Sequence, residues 1–242
     1  MQTQKITKDL SDVMPLAFCA LDLKADCKRV GLVIVDEING FATVGAGNLA
    51  PPTPNEQVST MVSETDQLAR NFTGENWPIL AFLDTHVPGK EEPPYPPHCE
   101  SGTGEEELVP ELKWLEDDAN TTLVRKDCIN GFIGAFADDG TNAVVEWVKA
   151  NGITDLLVVG ICTDICVMDF VLTSLSARNH EMMPGLTNIH VYDKGCSTYD
   201  LPKEVALEAG LPAVAAHPQN ITHYMGLYFM ASRGANLVNN II

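Results

Sequence analysis

Five short apolar runs, each stopping at a reactive residue or a glycine, limit the fold of this chain more than any other feature. They are GLVIVD (Gly31–Asp36), PILAFLD (Pro78–Asp84), TTLVRK (Thr121–Lys126), DLLVVG (Asp155–Gly160) and IHVYD (Ile189–Asp193). Short runs rich in β-branched residues read as strands, and continuous apolarity marks strands buried on both faces. Helical patterns separate them. Asn55–Phe72 carries Val58, Met61, Val62, Leu68 and Ala69 at helical spacing behind Asn55, a plausible N-cap. Thr141–Gly152 has a capping residue at its start and glycine at its end, and Cys166–Asn179, Pro202–Gly210 and Pro218–Gly234 also read as helices. Ala235–Asn239 is a candidate sixth strand. The alternation predicts a single α/β domain over residues 31–242, a three-layer α/β/α fold around a doubly wound, mostly parallel sheet of five or six strands. Residues 1–30 lack the pattern and read as an N-terminal extension with a helix packed on the domain.

Composition excludes several classes. With 33 acidic against 15 basic residues the formal charge is -18, so nucleic acid and anionic membranes are not expected partners. No apolar run approaches the ~20 residues of a membrane helix. The opening MQTQKITKDL lacks the apolar core of a signal peptide. The seven cysteines are odd in number and scattered, which fits a reducing compartment; a cytoplasmic location, with diffusion into the nucleus open to a chain this small, is the expectation. Sequons at Asn71, Asn120 and Asn220 are read as chance matches.

Ligands of doubly wound sheets bind beyond the carboxyl ends of the strands. Asp36, Asp84 and Lys126 stand at three such ends, and Cys166 follows a fourth by one tight turn. If a helix begins at Cys166, its free N–H groups would favour a thiolate and, with those of the preceding turn, an oxyanion. Thr163 and Asp164 are typical caps for such a helix. Core packing is the alternative for Cys166, a turn former for Asp36 and a surface lysine for Lys126; their co-occurrence gives the catalytic reading its weight. A redox pair of Cys162 and Cys166 does not have the C-x-x-C spacing. Asp84, His86 and His98 form an Asp–His–His set suited to zinc or a related divalent ion with open coordination positions, although D-x-H alone is a weak motif. His180, His190, His217 and His223 show no such grouping and read as structural or exposed.

Together these segments resemble the isochorismatase-like cysteine hydrolases, and within them the nicotinamidases, most closely the plant type. VIVDEINGF (Val33–Phe41) resembles the first-strand motif, LDTHVPG the D-x-H segment, and YPPHCESGTGEEELVPEL (Tyr95–Leu112) the proline- and glycine-marked loop. VRKDCINGFIGAF (Val124–Phe136) resembles the lysine strand and VVGICTDICV the nucleophile turn, all in family order. The resemblance implies a triad of Asp36, Lys126 and Cys166, an oxyanion site at the amides of Cys162 and Cys166, and a cis peptide before Cys162. It implies a divalent metal, zinc, on Asp84, His86 and His98, no organic cofactor, and a pocket with Phe41, Tyr95 and Phe132. The implied reaction is hydrolysis of nicotinamide, a small-molecule amide, to nicotinate and ammonia in NAD salvage, by a homo-oligomer. The acidic segment Lys90–Asp118 reads as a rim or lid. Gly40 stands where the motif carries aspartate, Tyr95 where tryptophan is usual, and Cys162 where alanine is usual. An N-carbamoyl-amine or ureido-acid amidohydrolase of the same fold is the first alternative, and a non-catalytic member is the second. Isochorismate hydrolysis is disfavoured because that chemistry does not use the cysteine.

Overall fold

The computed structural model describes residues 2–25, 28–90 and 92–242. In chain order the elements are α1 (Gln2–Val13), β1 (Phe18–Leu21), β2 (Val30–Val35), α2 (Asn39–Ala42), α3 (Glu56–Gly74), β3 (Ile79–Asp84), β4 (Thr121–Lys126), α4 (Gly131–Gly134), α5 (Ala143–Asn151), β5 (Asp155–Ile161), α6 (Cys166–Asn179), β6 (Asn188–Ser197), α7 (Lys203–Glu208), α8 (Gln219–Ser232) and β7 (Asn236–Ile241). Short 3-10 segments lie at Pro110–Asp117 and Ala213–Ala215.

All seven strands are parallel and lie in the order β1-β7-β6-β5-β2-β3-β4. Five or six strands were expected. The expected six are present, and the seventh comes from the N-terminal segment: FCAL pairs with β7 at the sheet edge. All four of its residues are apolar, but three of them are exposed at the sheet edge, and the run is too short to stand out in the sequence. β2, β3 and β5 are buried along their whole length, as continuous apolar runs require in the middle of a parallel sheet.

The helices cover both faces. On one side α3 buries Val58, Met61, Val62, Leu68, Ala69 and Phe72 against Leu32, Ile34, Leu157 and Val159. Its start is set by Asn55, whose side chain accepts from Val58 N at 3.1 Å. On the other side α5, α6 and α8 close over Val33, Val35, Phe82, Val158 and Val191. Asn142 caps α5 through the amides of Val144 and Val145, and Gly152 ends it in the left-handed region at φ 60°.

Strand order reverses between β2 and β5: the chain runs outward through β3 and β4, then returns to the opposite flank of β2. In doubly wound sheets such a switch point, beyond the carboxyl ends of the strands, is where ligands bind. Gly160 lets the two strands meet there. Its φ is 128°, and a Cβ would stand 2.1 Å from the Val35 carbonyl oxygen, so only glycine fits.

Candidate active site

Four adjacent strands deliver the reactive side chains. Asp36 leaves β2 one residue past Val35, which pairs with Gly160 on β5 and Phe82 on β3. Asp84 and Lys126 are paired residues at the ends of β3 and β4. Cys166 opens α6, one turn beyond β5. Asp36, Lys126 and Cys166 thus converge, although 130 residues separate the first from the last.

Lys126 is the centre of this arrangement. Its ammonium lies 2.9 Å from Asp36 Oδ2 and 2.8 Å from Asp84 Oδ1, with almost no exposure for any of the three side chains. Burial alone would lower its pKa, but the charges of Asp36, Cys166 and Asp84 outweigh that and raise it well above the usual lysine range. Asp36 is at φ 54°, a left-handed conformation that aspartate tolerates better than most residues. The Lys126 ammonium and the Cys166 thiol both bear on its carboxylate, although neither oxygen is met in full hydrogen-bond geometry. Burial pushes its carboxyl up to about 6 against the pull of Lys126. An ionised, under-bonded carboxylate is a ready acceptor for the Cys166 proton.

The Cys166 thiol differs from expectation. A helix start was expected to favour the thiolate, yet burial pushes the thiol well above its ordinary range and Lys126 offsets this only in part. The lysine already serves two carboxylates, so the resting sulfur holds its proton until a partner removes it. Thr163 and Asp164 also differ from expectation: the N-cap is Ile165 and no side chain caps α6. Their side chains turn away, to His223, Thr198 and His217. Among the described residues the amides of Cys162 and Cys166 donate to no acceptor, which leaves them open toward a ligand. The peptide between Ile161 and Cys162 is cis, as the resemblance implied.

Asp84, His86 and His98 come together beside the triad, all buried, with one donor atom from each within 4.8 Å of the others. Asp84 Oδ2 lies 3.0 Å from His86 Nε2 and 3.3 Å from His98 Nε2. His98 Nδ1 is 2.8 Å from the Pro96 carbonyl, which holds the ring with Nε2 facing inward. One carboxylate and two imidazoles in a buried, preformed group fit a divalent cation. Glu92 was missed: its Oε2 is 3.6 Å from His86 Nε2 and 3.7 Å from His98 Nε2. Nothing in a proline- and glutamate-rich loop distinguishes one acid from its neighbours, so only the folded loop reveals it.

The aromatic candidates divide. Phe41 and Tyr95 flank His98, at ring-centroid distances of 5.7 and 6.0 Å. Tyr95 is pushed up to about 12 by burial, with the neighbouring Cys162 and Cys166 adding to the effect. Phe132 is buried in the apolar cluster that also contains Cys166, Phe82 and Phe170. In the acidic segment, Cys99 N donates to Glu105 Oε2 and Gly40 N to the Glu105 carbonyl, so the loop folds down against α2. Gly40 is needed at that contact, because a Cβ would meet Cys99 Sγ at 2.6 Å.

Residues 30–217 match the family model described as the isochorismatase domain. The chain belongs to the isochorismatase family. Within it, the chain is similar to Nicotinamidase 1 of Arabidopsis thaliana, 55% identical over 212 residues that cover 88% of this chain and 86% of that protein. Among solved structures it is similar to nicotinamidase PncA from Bacillus subtilis, with TM-score 0.65, 20% identity, and coverage of 87% of this chain and 100% of that one. It is also similar to the pyrazinamidase of Pyrococcus horikoshii in complex with zinc, with TM-score 0.61, 18% identity, and coverage of 87% and 99%. These two structural likenesses establish the isochorismatase-like fold. No described helix is long and apolar enough to cross a membrane.

Proposed function

We propose that this protein is a nicotinamidase that hydrolyses nicotinamide to nicotinate and ammonia through a cysteine thioester. The observation that carries the reading is the Lys126 bridge, which joins a Cys–Asp–Lys set to an Asp–His–His set at one edge of the sheet. The name of the Arabidopsis relative, at 55% identity, supports the substrate.

Asp36 takes the Cys166 proton, and the sulfur forms a bond to the amide carbon. The carbonyl oxygen becomes an oxyanion received by the open amides of Cys162 and Cys166. Asp36 returns the proton to the amide nitrogen, the C–N bond breaks and ammonia leaves. Water then attacks the thioester with Asp36 again as base, releasing nicotinate and restoring the thiol. Lys126 keeps Asp36 oriented and balances the negative charge as it moves between sulfur and carboxylate. Phe41 and Tyr95 hold the ring by stacking, and Phe132 backs the pocket from the core. Asp84, His86 and His98 would hold the metal, which we infer to be zinc from the donor set; it would supply a Lewis-acid anchor for the pyridine nitrogen. The functional unit is a homo-oligomer in a reducing, cytoplasmic setting, with residues 31–242 as the hydrolase domain.

The test is ammonia release from nicotinamide by purified protein, by Cys166→Ala, and by protein treated with a chelator. Loss of release in both altered samples supports the scheme. Release by Cys166→Ala at the unaltered rate would remove the thioester, and inactivity of metal-loaded protein on nicotinamide would remove the substrate assignment.

A further inference from the structure

The proposed chemistry uses His86 and His98. Two other histidines grip the turn that carries the nucleophile. Asp164, midway between Cys162 and Cys166, accepts from Thr198 Oγ1 at 2.7 Å through Oδ1. Its Oδ2 lies 2.8 Å from His217 Nε2. The opposite ring nitrogen, His217 Nδ1, is 2.9 Å from the Tyr199 carbonyl oxygen. A carboxylate and a carbonyl only accept. A neutral imidazole carries one proton and would turn a lone pair toward one of these oxygens, whereas the imidazolium satisfies both. Thr222 Oγ1, 3.3 Å from the same Nδ1, has the Pro218 and Gln219 carbonyls as acceptors for its own proton.

The surroundings favour the same state. The His217 ring stacks on Tyr199 at 3.8 Å between centroids and 12° between planes, the geometry of a cation on an aromatic face. Burial opposes the charge on His217, but Asp164 outweighs it and raises its pKa. Burial likewise opposes ionisation of Asp164, but the bond to His217 holds its carboxyl below the usual range. The groups facing His217 are therefore Asp164 from the nucleophile turn, Tyr199 from the loop after β6, and Thr222 from α8.

The neighbouring residue is held as well. Thr163 Oγ1 lies 2.8 Å from His223 Nδ1, and His223 Nε2 lies 3.0 Å from Asp193 Oδ1. Since the carboxylate accepts from Nε2, Nδ1 is free to receive the threonine hydroxyl proton. Between the two contacts the backbone of α8 lies directly on the turn: a Cβ at Gly226 would come within 2.8 Å of Asp164 Cα and 2.9 Å of the Thr163 carbonyl.

We propose that His217, held as an imidazolium between Asp164 and the Tyr199 carbonyl, and His223, bonded to Thr163, are positioning residues that fix the nucleophile turn so that the amides on either side of it stay aimed at the oxyanion. The consequence for turnover rests on the nicotinamidase reading, whereas the protonation state of His217 does not. Neither histidine is placed to touch the substrate. Their loss therefore acts on kcat, while KM, set by the ring contacts and the metal, stays nearly constant. Deprotonation of His217 at alkaline pH removes one of its two bonds and loosens the turn, so kcat falls on that side.

The experiment pairs two readouts. Nitrogen-15 NMR of histidine-labelled protein is expected to show both His217 nitrogens protonated at neutral pH, and only one in Asp164→Asn. Steady-state kinetics on nicotinamide across pH is expected to show His217→Gln with kcat lowered about 10- to 100-fold, as a misplaced catalytic group would give, with KM within about twofold and without the wild-type alkaline fall. His223→Gln is expected to lower kcat alike but keep that fall. A singly protonated His217 at neutral pH overturns the imidazolium, and an unchanged kcat in His217→Gln overturns the positioning role. Should the wild type ignore nicotinamide, the rate of Cys166 alkylation by iodoacetamide replaces turnover. Slower alkylation in His217→Gln then supports positioning and an equal rate overturns it, so failure of the substrate assignment remains separable.

Discussion

Lys126 Nζ lies 2.8 Å from Asp84 Oδ1, while the other oxygen of the same carboxylate faces His86 and His98. One aspartate therefore belongs to two sites. Its inner oxygen joins the lysine that orients Asp36, and its outer oxygen belongs to the donor set for the cation. The pairing of Asp84 with Lys126 across β3 and β4 makes this automatic, since neighbours at parallel strand ends lie at the same edge of the sheet.

Lys126→Met is expected to destabilise the fold by about 3–5 kcal/mol, because it leaves two buried carboxylates without their cation. Urea denaturation measures this, and ammonia release from nicotinamide should be lost. Adding Asp36→Asn to Lys126→Met should recover part of the stability and none of the activity. A double variant no more stable than the single one would show that Asp36 is not the uncompensated charge.

The pH profile follows from Asp36. Its carboxyl, pushed up to about 6 by burial against the pull of Lys126, must be ionised to receive the thiol proton. As pH falls through that value the base is protonated, so kcat/KM should fall on the acid side with an inflection near 6. Activity constant from pH 7 down to pH 5 would mean that another group takes the proton.

Metal content is the third prediction. His98→Ala and Asp84→Asn should each lose the bound ion, read by atomic emission on purified protein. Glu92→Gln should weaken binding about 10- to 100-fold, the usual effect of an outer-sphere partner. Full metal retention in His98→Ala would move the site elsewhere. Chelation should raise KM for nicotinamide more than it lowers the reactivity of Cys166 toward iodoacetamide.

Much of the site is legible in the chain because strand ends are legible. A buried parallel strand is a continuous apolar run, and the polar residue that ends it marks the carboxyl edge of the sheet, which is how Asp36, Asp84, Lys126 and the turn before Cys166 can be located. What stays hidden depends on contacts between distant segments. FCAL has three exposed residues of four and becomes a strand only because β7 offers its edge. Asp164 looks like a helix cap, but Thr198 and His217 claim both of its oxygens. The charge balance of Cys166 is equally non-local, since it depends on how one lysine is shared between Asp36 and Asp84.

Gly160→Ala tests the switch point. The new methyl would stand 2.1 Å from the Val35 carbonyl at a φ of 128°, so β2 and β5 must separate. Overpacking of this kind costs about 1–3 kcal/mol, and the left-handed backbone adds to it. Because β2 carries Asp36 and β5 leads to Cys166, activity should fall further than stability. Equal thermal midpoints for the variant and the wild type would show that the strands separate freely.

Glu37 gives the last prediction. Its carboxyl is completely buried, with one oxygen accepting from Thr65 Oγ1 at 2.6 Å and the other unpartnered. Burial raises its pKa well above the usual carboxylate range, and the Thr65 bond compensates only in part. A carboxyl raised in the folded state contributes stability that is fully present below its unfolded pKa and is lost as pH rises toward the folded value. Glu37→Gln mimics the protonated form and removes this dependence. The variant should match the wild type near pH 4 and exceed it increasingly as pH rises, by about 1.4 kcal/mol for each pH unit until the folded carboxyl itself ionises. Thermal midpoints of both proteins from pH 4 to 8 measure the divergence. Parallel curves would mean that Glu37 ionises as readily in the folded protein as in the unfolded chain.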